Sequence, residues 1–223
     1  PHIDMGAATI KMNEDGSFNL LAGATDLGTG SDTILAQIAA EVLGVESSDM
    51  LVYSSDTDLT PFDVGAYASS TTYLSGNAVL RTAESVRAQI IAVAARISGA
   101  DPAGAALRDK HVLFANGTRV AFDRIGHYAM YQRDQFQIAA TESYISHKSP
   151  PPFAAHFAEV EVDTETGVVR LLKYVAAVDC GVEINPQLAR GQTEGAVVNG
   201  IGYALSEEFI FNPRGRMITD SLM

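Results

Sequence analysis

The chain has 223 residues, of which 47% are hydrophobic and 19% are charged, and its formal net charge is −12. The acidic balance argues against binding to a nucleic-acid backbone, which requires clustered Lys and Arg. No apolar run reaches the roughly 18 residues of a membrane-spanning helix, and no signal peptide is visible. The one cysteine, Cys180, precludes an internal disulfide and fits a reducing compartment. We therefore expect a cytoplasmic protein without nucleic-acid or membrane partners, in which Cys180 is a small buried hydrophobic residue.

Apolar spacing and turn residues predict an alternation of hairpins and single helices along the whole chain. The predicted elements are, in chain order, strands at residues 7–12 and 17–22, a helix at 31–43 with Ser31 as its N-cap, a strand at 50–53, a helix at 72–98, a hairpin at 112–115 and 119–121, a short helix at 123–130, an extended segment at 136–144, a hairpin at 154–162 and 168–177, and a long helix at 186–205. This order predicts an α+β fold with helices packed on mixed sheets. The prolines at 150–152 suggest a boundary between a first lobe, residues 1–148, and a second segment, residues 149–223.

The loop before the first predicted helix has the composition of an anion site. Gly28 and Gly30 allow close approach to the backbone, and Ser31 and Thr33 offer hydroxyl groups. Free N–H groups and the positive end of a helix dipole favour an anion at such a position. The absence of lysine excludes a Walker loop. A tight turn without a ligand explains the same pattern equally well.

Four consecutive hydroxyl residues, Ser69 to Thr72, lie where the long loop at residues 54–70 meets the second predicted helix. One of them would suffice to cap the helix. The same hydroxyl groups could instead bind an anion at the helix N-terminus. The run therefore leaves both capping and ligand binding open.

The long helix near the end of the chain contains four glycines, at positions 191, 195, 200 and 202. Each costs about 0.5–1 kcal/mol relative to alanine in a helix, so another element or a ligand must approach this backbone. Spacing alone favours close packing through small residues. Gln192, within the glycine cluster, offers an amide to a ligand. The five histidines show no ligand spacing, so we expect no metal site built from them.

Four segments of the chain carry a resemblance to a known family. They are LGTGSDTILAQIAAEVLG (Leu27–Gly44), GAYASSTTYLSGNAV (Gly65–Val79), HFAEVEVDTETG (His156–Gly167) and DCGVEINPQLARGQTEGAVVNGIGYALSE (Asp179–Glu207). In this order they resemble segments of the molybdenum hydroxylases, specifically the molybdopterin-binding large subunits of the xanthine dehydrogenase and aldehyde oxidoreductase family, which includes carbon monoxide dehydrogenase. The resemblance covers nearly the whole chain and implies the cofactor-binding fold of that family.

The resemblance implies a set of cofactor-binding residues. They are Leu27, Gly28, Thr29, Gly30, Ser31, Ala68, Ser69, Ser70, Thr71 and Gln192. It implies that the first loop lies against the pterin and the dinucleotide pyrophosphate, that the hydroxyl run contacts the cofactor, and that Gln192 hydrogen-bonds the pterin. The family usually has glutamine where this chain has Thr29, and the shorter hydroxyl cannot make the same amide contacts.

The resemblance also implies hydroxylation of a small molecule at an electron-poor carbon, with electrons passing to iron–sulfur and FAD subunits or domains. The family places a catalytic glutamate in a Gly-x-Gly-Glu segment. Gly202 is followed by Tyr203 here, so we expect that glutamate beyond Met223, with no catalytic residue and no metal ligand in the chain. No cysteine set for an iron–sulfur cluster is present.

We therefore expect a fragment of the large subunit, truncated at both ends. Its partners would be the remaining part of that subunit and the electron-transfer subunits, and its cofactor molybdenum-molybdopterin, expected in the cytosine dinucleotide form. By itself the chain is expected to retain no cofactor and to be inactive. Two other hypotheses stay open: a non-catalytic nucleotide- or phosphate-binding module, and a scaffold homologue that has lost activity, which Thr29 favours.

Overall fold

The computed structural model describes residues 4–132, 135–148 and 150–219. The chain forms two compact units, Pro1–Ser149 and Pro150–Met223. Its elements are β1 (Met5–Met12), β2 (Phe18–Ala22), α1 (Ser31–Leu43), β3 (Met50–Ser54), α2 (Thr71–Ser98), β4 (Ala106–Arg108), β5 (His111–Leu113), β6 (Arg119–Ala121), α3 (Phe122–Tyr131), β7 (Ala139–Ile145), β8 (Phe153–Val162), β9 (Val169–Asp179) and α4 (Pro186–Leu205). The predicted α+β fold with mixed sheets is confirmed.

The first unit contains a four-stranded mixed sheet in the order β3-β2-β1-β7. β1 pairs antiparallel with both β2 and β7, whereas β2 and β3 are parallel. A parallel pair requires a crossover connection, which α1 provides. The carboxyl ends of β2 and β3 and the start of β1 therefore lie at the same end of the sheet.

One face of this sheet forms the core. Alternate residues of β1 and β2, such as Ile10, Met12, Phe18 and Leu20, are fully buried, as the period of two along a strand requires. α1 and α2 pack on this face and against each other. On the opposite face, Leu51 of β3 is 55% exposed. The first unit is therefore a two-layer structure in which the helices cover one side of the sheet.

Helix α2 runs in the same direction as β1. A Cβ atom on Gly6, early in β1, would lie 2.9 Å from the Cα of Ser75 in the first turns of α2. Further along both elements, the Thr82 hydroxyl donates to the carbonyl of Ala8 at 3.2 Å. The N-terminus of α2 consequently lies at the start of β1, the sheet end where the chain also leaves β2.

A small antiparallel sheet, β4-β5-β6, packs with α3 in the same unit. The sequence predicted β5, β6 and α3 but not β4: β5 and β6 flank the Asn116-Gly117 turn, whereas no glycine turn lies between β4 and β5. β4 lies against the end of α1, where Gly44 has φ 65° and a Cβ atom would lie 2.4 Å from the carbonyl oxygen of Leu107. Gly44 therefore ends α1, as predicted, and its lack of a side chain leaves room for β4.

The second unit consists of the β8–β9 hairpin and α4. The side chain of Asn185 caps α4 by accepting from the Leu188 N–H at 3.1 Å, and Pro186 occupies the first helical position. None of the described residues 150–219 is buried. Cys180 follows β9 directly and is exposed, so its predicted burial is wrong.

Candidate functional site

The predicted cofactor residues of the first loop lie between β2 and α1. Gly30 is the N-cap of α1, with φ 76°, and has no side chain of its own with which to cap the helix. The prediction of Ser31 as the N-cap is wrong, because the left-handed Gly30 places Ser31 in the first turn. Ser31 is only 2% exposed, and its hydroxyl has no hydrogen-bond partner among the described residues. Leu27, in contrast, is 68% exposed.

The N–H groups of this loop are occupied by a carboxylate of the chain itself. Asp26 accepts from the N–H of Gly28 at 2.8 Å, of Gly30 at 3.2 Å and of Asp32 at 3.4 Å. Burial raises the pKa of Asp26, but donation from Gly28 and Gly30 outweighs it and holds the pKa below its ordinary value. Sequence analysis missed Asp26, although an aspartate two residues before a glycine is a typical signal of a side-chain-stabilised turn.

The second predicted segment, Ala68 to Thr71, leads into α2. Ser70 is the N-cap, but its hydroxyl donates to the carbonyl oxygen of Tyr67 at 2.8 Å, and no side chain caps the helix. The capping interpretation of the hydroxyl run is therefore wrong. Ala68 and Ser69 have φ values of 51° and 56°. Such left-handed residues cost about 1–3 kcal/mol each and persist where the surrounding structure imposes them, often at functional sites.

Asp63 connects the two loops. Its carboxylate accepts from the N–H of Gly65 at 2.9 Å and from the hydroxyl of Ser75, in α2, at 2.6 Å. A Cβ atom on Gly23, directly after β2, would lie 2.7 Å from the Cβ of Asp63 and 2.3 Å from the carbonyl oxygen of Pro61. The loop after β3 thus packs on the loop after β2, and it brings the two predicted segments to one end of the sheet. Sequence analysis did not identify Asp63 or this contact.

The two helix N-termini at this end differ in charge. Asp32 lies in the first turn of α1 and accepts from the Ser54 hydroxyl at 3.0 Å, which places a second carboxylate beside Asp26. The first turn of α2 contains no acidic residue. The positive end of the α2 dipole is therefore not offset by a carboxylate of its own first turn.

Gln192 lies in α4, in the second unit. Apart from chain neighbours and the backbone of α4 itself, no atom of the described residues lies within 4 Å of the Cβ positions of Gly191, Gly195 and Gly200. The close packing that spacing favoured is therefore not made at these three glycines. At Gly202, the Cβ position falls 2.3 Å from the carboxylate oxygen Oε1 of Glu207.

Across residues 4–132, 135–148 and 150–219, no cluster of three or more His, Cys, Asp or Glu side chains is arranged to hold a metal ion. Within the same ranges, no helix has the length and apolar character needed to cross a membrane.

Known protein families and sequences match this chain over nearly its whole length. The model of the molybdopterin cofactor-binding domain matches residues 2–223. The probable hypoxanthine oxidase XdhD of Escherichia coli (strain K12) is 40% identical over 222 residues, which cover 100% of this chain and 23% of that protein. The putative xanthine dehydrogenase molybdenum-binding subunit XdhA of the same strain is 33% identical over 221 residues, covering 97% of this chain and 29% of that protein.

Among solved structures, quinoline 2-oxidoreductase from Pseudomonas putida 86 superposes with a TM-score of 0.89 and 28% identity. That match covers 99% of this chain and 29% of the other. The chain thus spans between 23% and 29% of the length of these relatives. The match of the family model from residue 2 to residue 223 shows that this chain belongs to the molybdopterin cofactor-binding domain family.

Proposed function

We propose that this chain is part of the molybdopterin-holding catalytic subunit of an oxidoreductase of the xanthine dehydrogenase or aldehyde oxidoreductase type. One structural observation carries the proposal. The loop after β2 and the loop before α2 meet at one end of the sheet, through Gly23, Pro61 and Asp63. Both loops contain the residues that resemble the family's cofactor segments, and the family model covers the entire region.

The side chains and backbone groups at this end suit a molybdopterin. The buried Ser31 hydroxyl has no partner among the described residues, which costs about 1–3 kcal/mol until a ligand atom reaches it. Gly28 has φ 90°, and apart from its chain neighbours no atom of the part of the chain that the structure describes lies within 4 Å of its Cβ position, so its backbone is open to a close neighbour. The N-terminus of α2 has no side-chain cap and is suited to an anion. Hydroxyl, amide and N–H groups match a ligand with many polar heteroatoms and a phosphate.

The residues proposed to hold the cofactor are Leu27, Gly28, Thr29, Gly30, Ser31, Ala68, Ser69, Ser70, Thr71 and Gln192. When bound, the molybdenum cofactor supplies two-electron oxidation of a substrate carbon with oxygen from water. The chain's own residues bind and orient it. Thr29 stands at the position where the family usually has glutamine, and its hydroxyl is the shorter polar group there.

The proposal extends to substrate, cofactor form and partners. Two of the relatives are named for hypoxanthine and quinoline, so a small nitrogen heterocycle is the substrate class to test first. XdhA is named as a subunit, which supports partner subunits, and from the family resemblance we propose that these carry iron–sulfur clusters and FAD. We propose the cytosine dinucleotide form of the cofactor and a cytoplasmic location.

The test uses the full-length protein, purified from a host that makes the cofactor. Molybdenum is measured by mass spectrometry, pterin by fluorescence after oxidation, and the released nucleotide by chromatography, where CMP identifies the cytosine form. Gln192→Ala is expected to retain the cofactor roughly 2- to 12-fold less well, the effect of one lost hydrogen bond. Gln187→Ala, at an exposed position of the same helix, is the matched control and is expected to change nothing. A wild-type protein without molybdenum and pterin would refute the proposal.

A further inference from the structure

We propose that Asp63 is a positioning residue whose hydrogen bond with Ser75 closes the loop that contains Ala68–Thr71, and that this closure orders the segment before any cofactor binds. The binding of a cofactor by the segment rests on the proposed function. Asp63 itself is not among the predicted cofactor residues. Its effect on binding is exerted through the conformation of Ala68–Thr71, so its role can be tested in protein that holds no cofactor.

One side chain holds the two ends of this loop together. The carboxylate of Asp63 accepts from the Ser75 hydroxyl through Oδ2 at 2.6 Å and from the N–H of Gly65 through Oδ1 at 2.9 Å. Asp63 and Ser75 are twelve positions apart in the chain, and Ser75 is only 3% exposed within α2. The bond therefore joins the start of the loop to a packed helix, and closing a loop reduces the conformational freedom of the residues between its ends.

Inside the closed loop, a second set of hydrogen bonds holds Tyr67. Its hydroxyl donates to Oδ1 of Asp4, and its carbonyl oxygen accepts from the N–H of Ser70 at 3.1 Å and from the Ser70 hydroxyl at 2.8 Å. Ala68 and Ser69, between these two residues, have φ values of 51° and 56°. Consecutive left-handed residues other than glycine persist only where contacts on both sides impose them. The loop closure is the outer of the two restraints that do so.

The order of Ala68–Thr71 determines what binding costs. The segment presents its hydroxyl groups at the N-terminus of α2, whose first turn contains no acidic residue, so the dipole there favours an anion. A ligand that meets an already ordered segment loses no affinity to the ordering of that backbone. A side chain that imposes the order therefore raises the affinity for the ligand through the conformation of the loop.

The first experiment uses the full-length protein freed of cofactor. Amide hydrogen exchange is measured by mass spectrometry on the peptide that covers residues 64–74. Ser75→Ala removes the hydroxyl, keeps the Cβ atom and suits a helix, so the variant is expected to fold. Its exchange in this peptide is expected to be roughly 2- to 12-fold faster than in the wild type, the effect of one lost hydrogen bond. Asp63→Ala also frees the N–H of Gly65 and is expected to accelerate exchange at least as much.

Ser85→Ala is the matched control. Ser85 also belongs to α2, and its hydroxyl also donates to a carboxylate, that of Glu142 at 2.8 Å, but further along the helix. This variant is expected to lower the melting temperature and to leave exchange in the peptide unchanged. Unchanged exchange in Ser75→Ala would overturn the proposal, and so would an equal acceleration in Ser85→Ala.

A double variant tests whether Asp63 and Ser75 act through one bond. If they do, adding Ser75→Ala to Asp63→Ala accelerates exchange no further, because the bond is already lost. Additive effects of the two substitutions on exchange would overturn the proposal. If Asp63→Ala does not fold, the comparison of Ser75→Ala with Ser85→Ala still decides the matter.

Cofactor retention is the second readout, and a purely structural role would not move it selectively. The same variants are purified from a host that makes the cofactor and are compared well below their melting temperatures. Ser75→Ala is expected to retain pterin roughly 2- to 12-fold less well than the wild type, and Ser85→Ala equally well. Equal retention by Ser75→Ala and the wild type would overturn the positioning role. A wild-type protein without molybdenum and pterin would refute the proposed function, whereas the exchange rates would still decide whether Asp63 orders the loop.

Discussion

Replacement of Gly23 by alanine is expected to force the two loops of the candidate site apart. The new Cβ atom would lie 2.3 Å from the carbonyl oxygen of Pro61 and 2.7 Å from the Cβ of Asp63, whereas ordinary contacts begin at 3.4 Å. Gly23 is not in the left-handed region, so the substitution adds no backbone strain of its own. The Pro61–Asp63 backbone must therefore move by about 1 Å to restore normal contact distances.

The cost follows from the contacts that move. Overpacking of a fitted site costs about 1–3 kcal/mol. Asp63 moves with the segment, which weakens its hydrogen bonds with Gly65 and Ser75, each worth about 0.5–1.5 kcal/mol. We expect a loss of about 2–4 kcal/mol in the free energy of unfolding of the first unit, together with loss of bound cofactor from the full-length protein.

Differential scanning calorimetry measures this loss. For a unit of this size, 1 kcal/mol shifts the melting temperature by about 2–4 °C, so Gly23→Ala is expected to melt about 5–15 °C lower. Gly200→Ala is the matched control, since apart from the backbone of α4 no described residue comes within 4 Å of its Cβ position and alanine favours the helix. If Gly23→Ala changes the free energy of unfolding by less than roughly 0.5 kcal/mol, the typical range for surface substitutions, the packing of the two loops is refuted.

Three further predictions follow from the hydrogen bonds and burial. Thr82→Val is expected to destabilise the first unit by about 1–2 kcal/mol, because it removes a buried hydroxyl that donates to the carbonyl oxygens of Ala78, at 2.7 Å, and Ala8, at 3.2 Å. An unchanged urea midpoint would contradict this prediction. The Ser17 hydroxyl and N–H hold the pKa of Asp15 below its ordinary value. The resulting stabilisation is present above the unfolded-state pKa of roughly 3.9 and is lost as the pH falls through the folded-state pKa. Asp15→Asn should therefore lose less stability than the wild type below about pH 4. Identical profiles of stability against pH for the two proteins would refute this prediction. The segment of residues 150–223, expressed alone, is expected to show the circular dichroism of an unfolded chain, since none of its described residues is buried, and a cooperative unfolding transition would count against this reasoning.

Residues of the candidate site could be predicted from the sequence where the residue type alone indicates a backbone conformation. Gly28 and Gly30 were identified because close approach of a backbone requires glycine, and both adopt positive φ in the structure. The function of Asp26 was not visible, because its partners are N–H groups, which every non-proline residue carries, and only the path of the loop aims them at one carboxylate. Asp63 was not predicted for a related reason: its partner Ser75 belongs to another element, and its contact with Gly23 joins segments that are far apart in the sequence.

By itself, the sequence determined the identity and approximate bounds of nearly every helix and strand, since apolar periodicity and glycine turns are local signals. It also determined the family, because four ordered segments extend over most of the chain. Only the tertiary structure decided that β3 is parallel to β2, and that α1 and α2 begin at the same end of the sheet. Strand order and direction depend on pairing between distant residues, and these long-range contacts position the two loops, the carboxylates and the helix dipoles at one place.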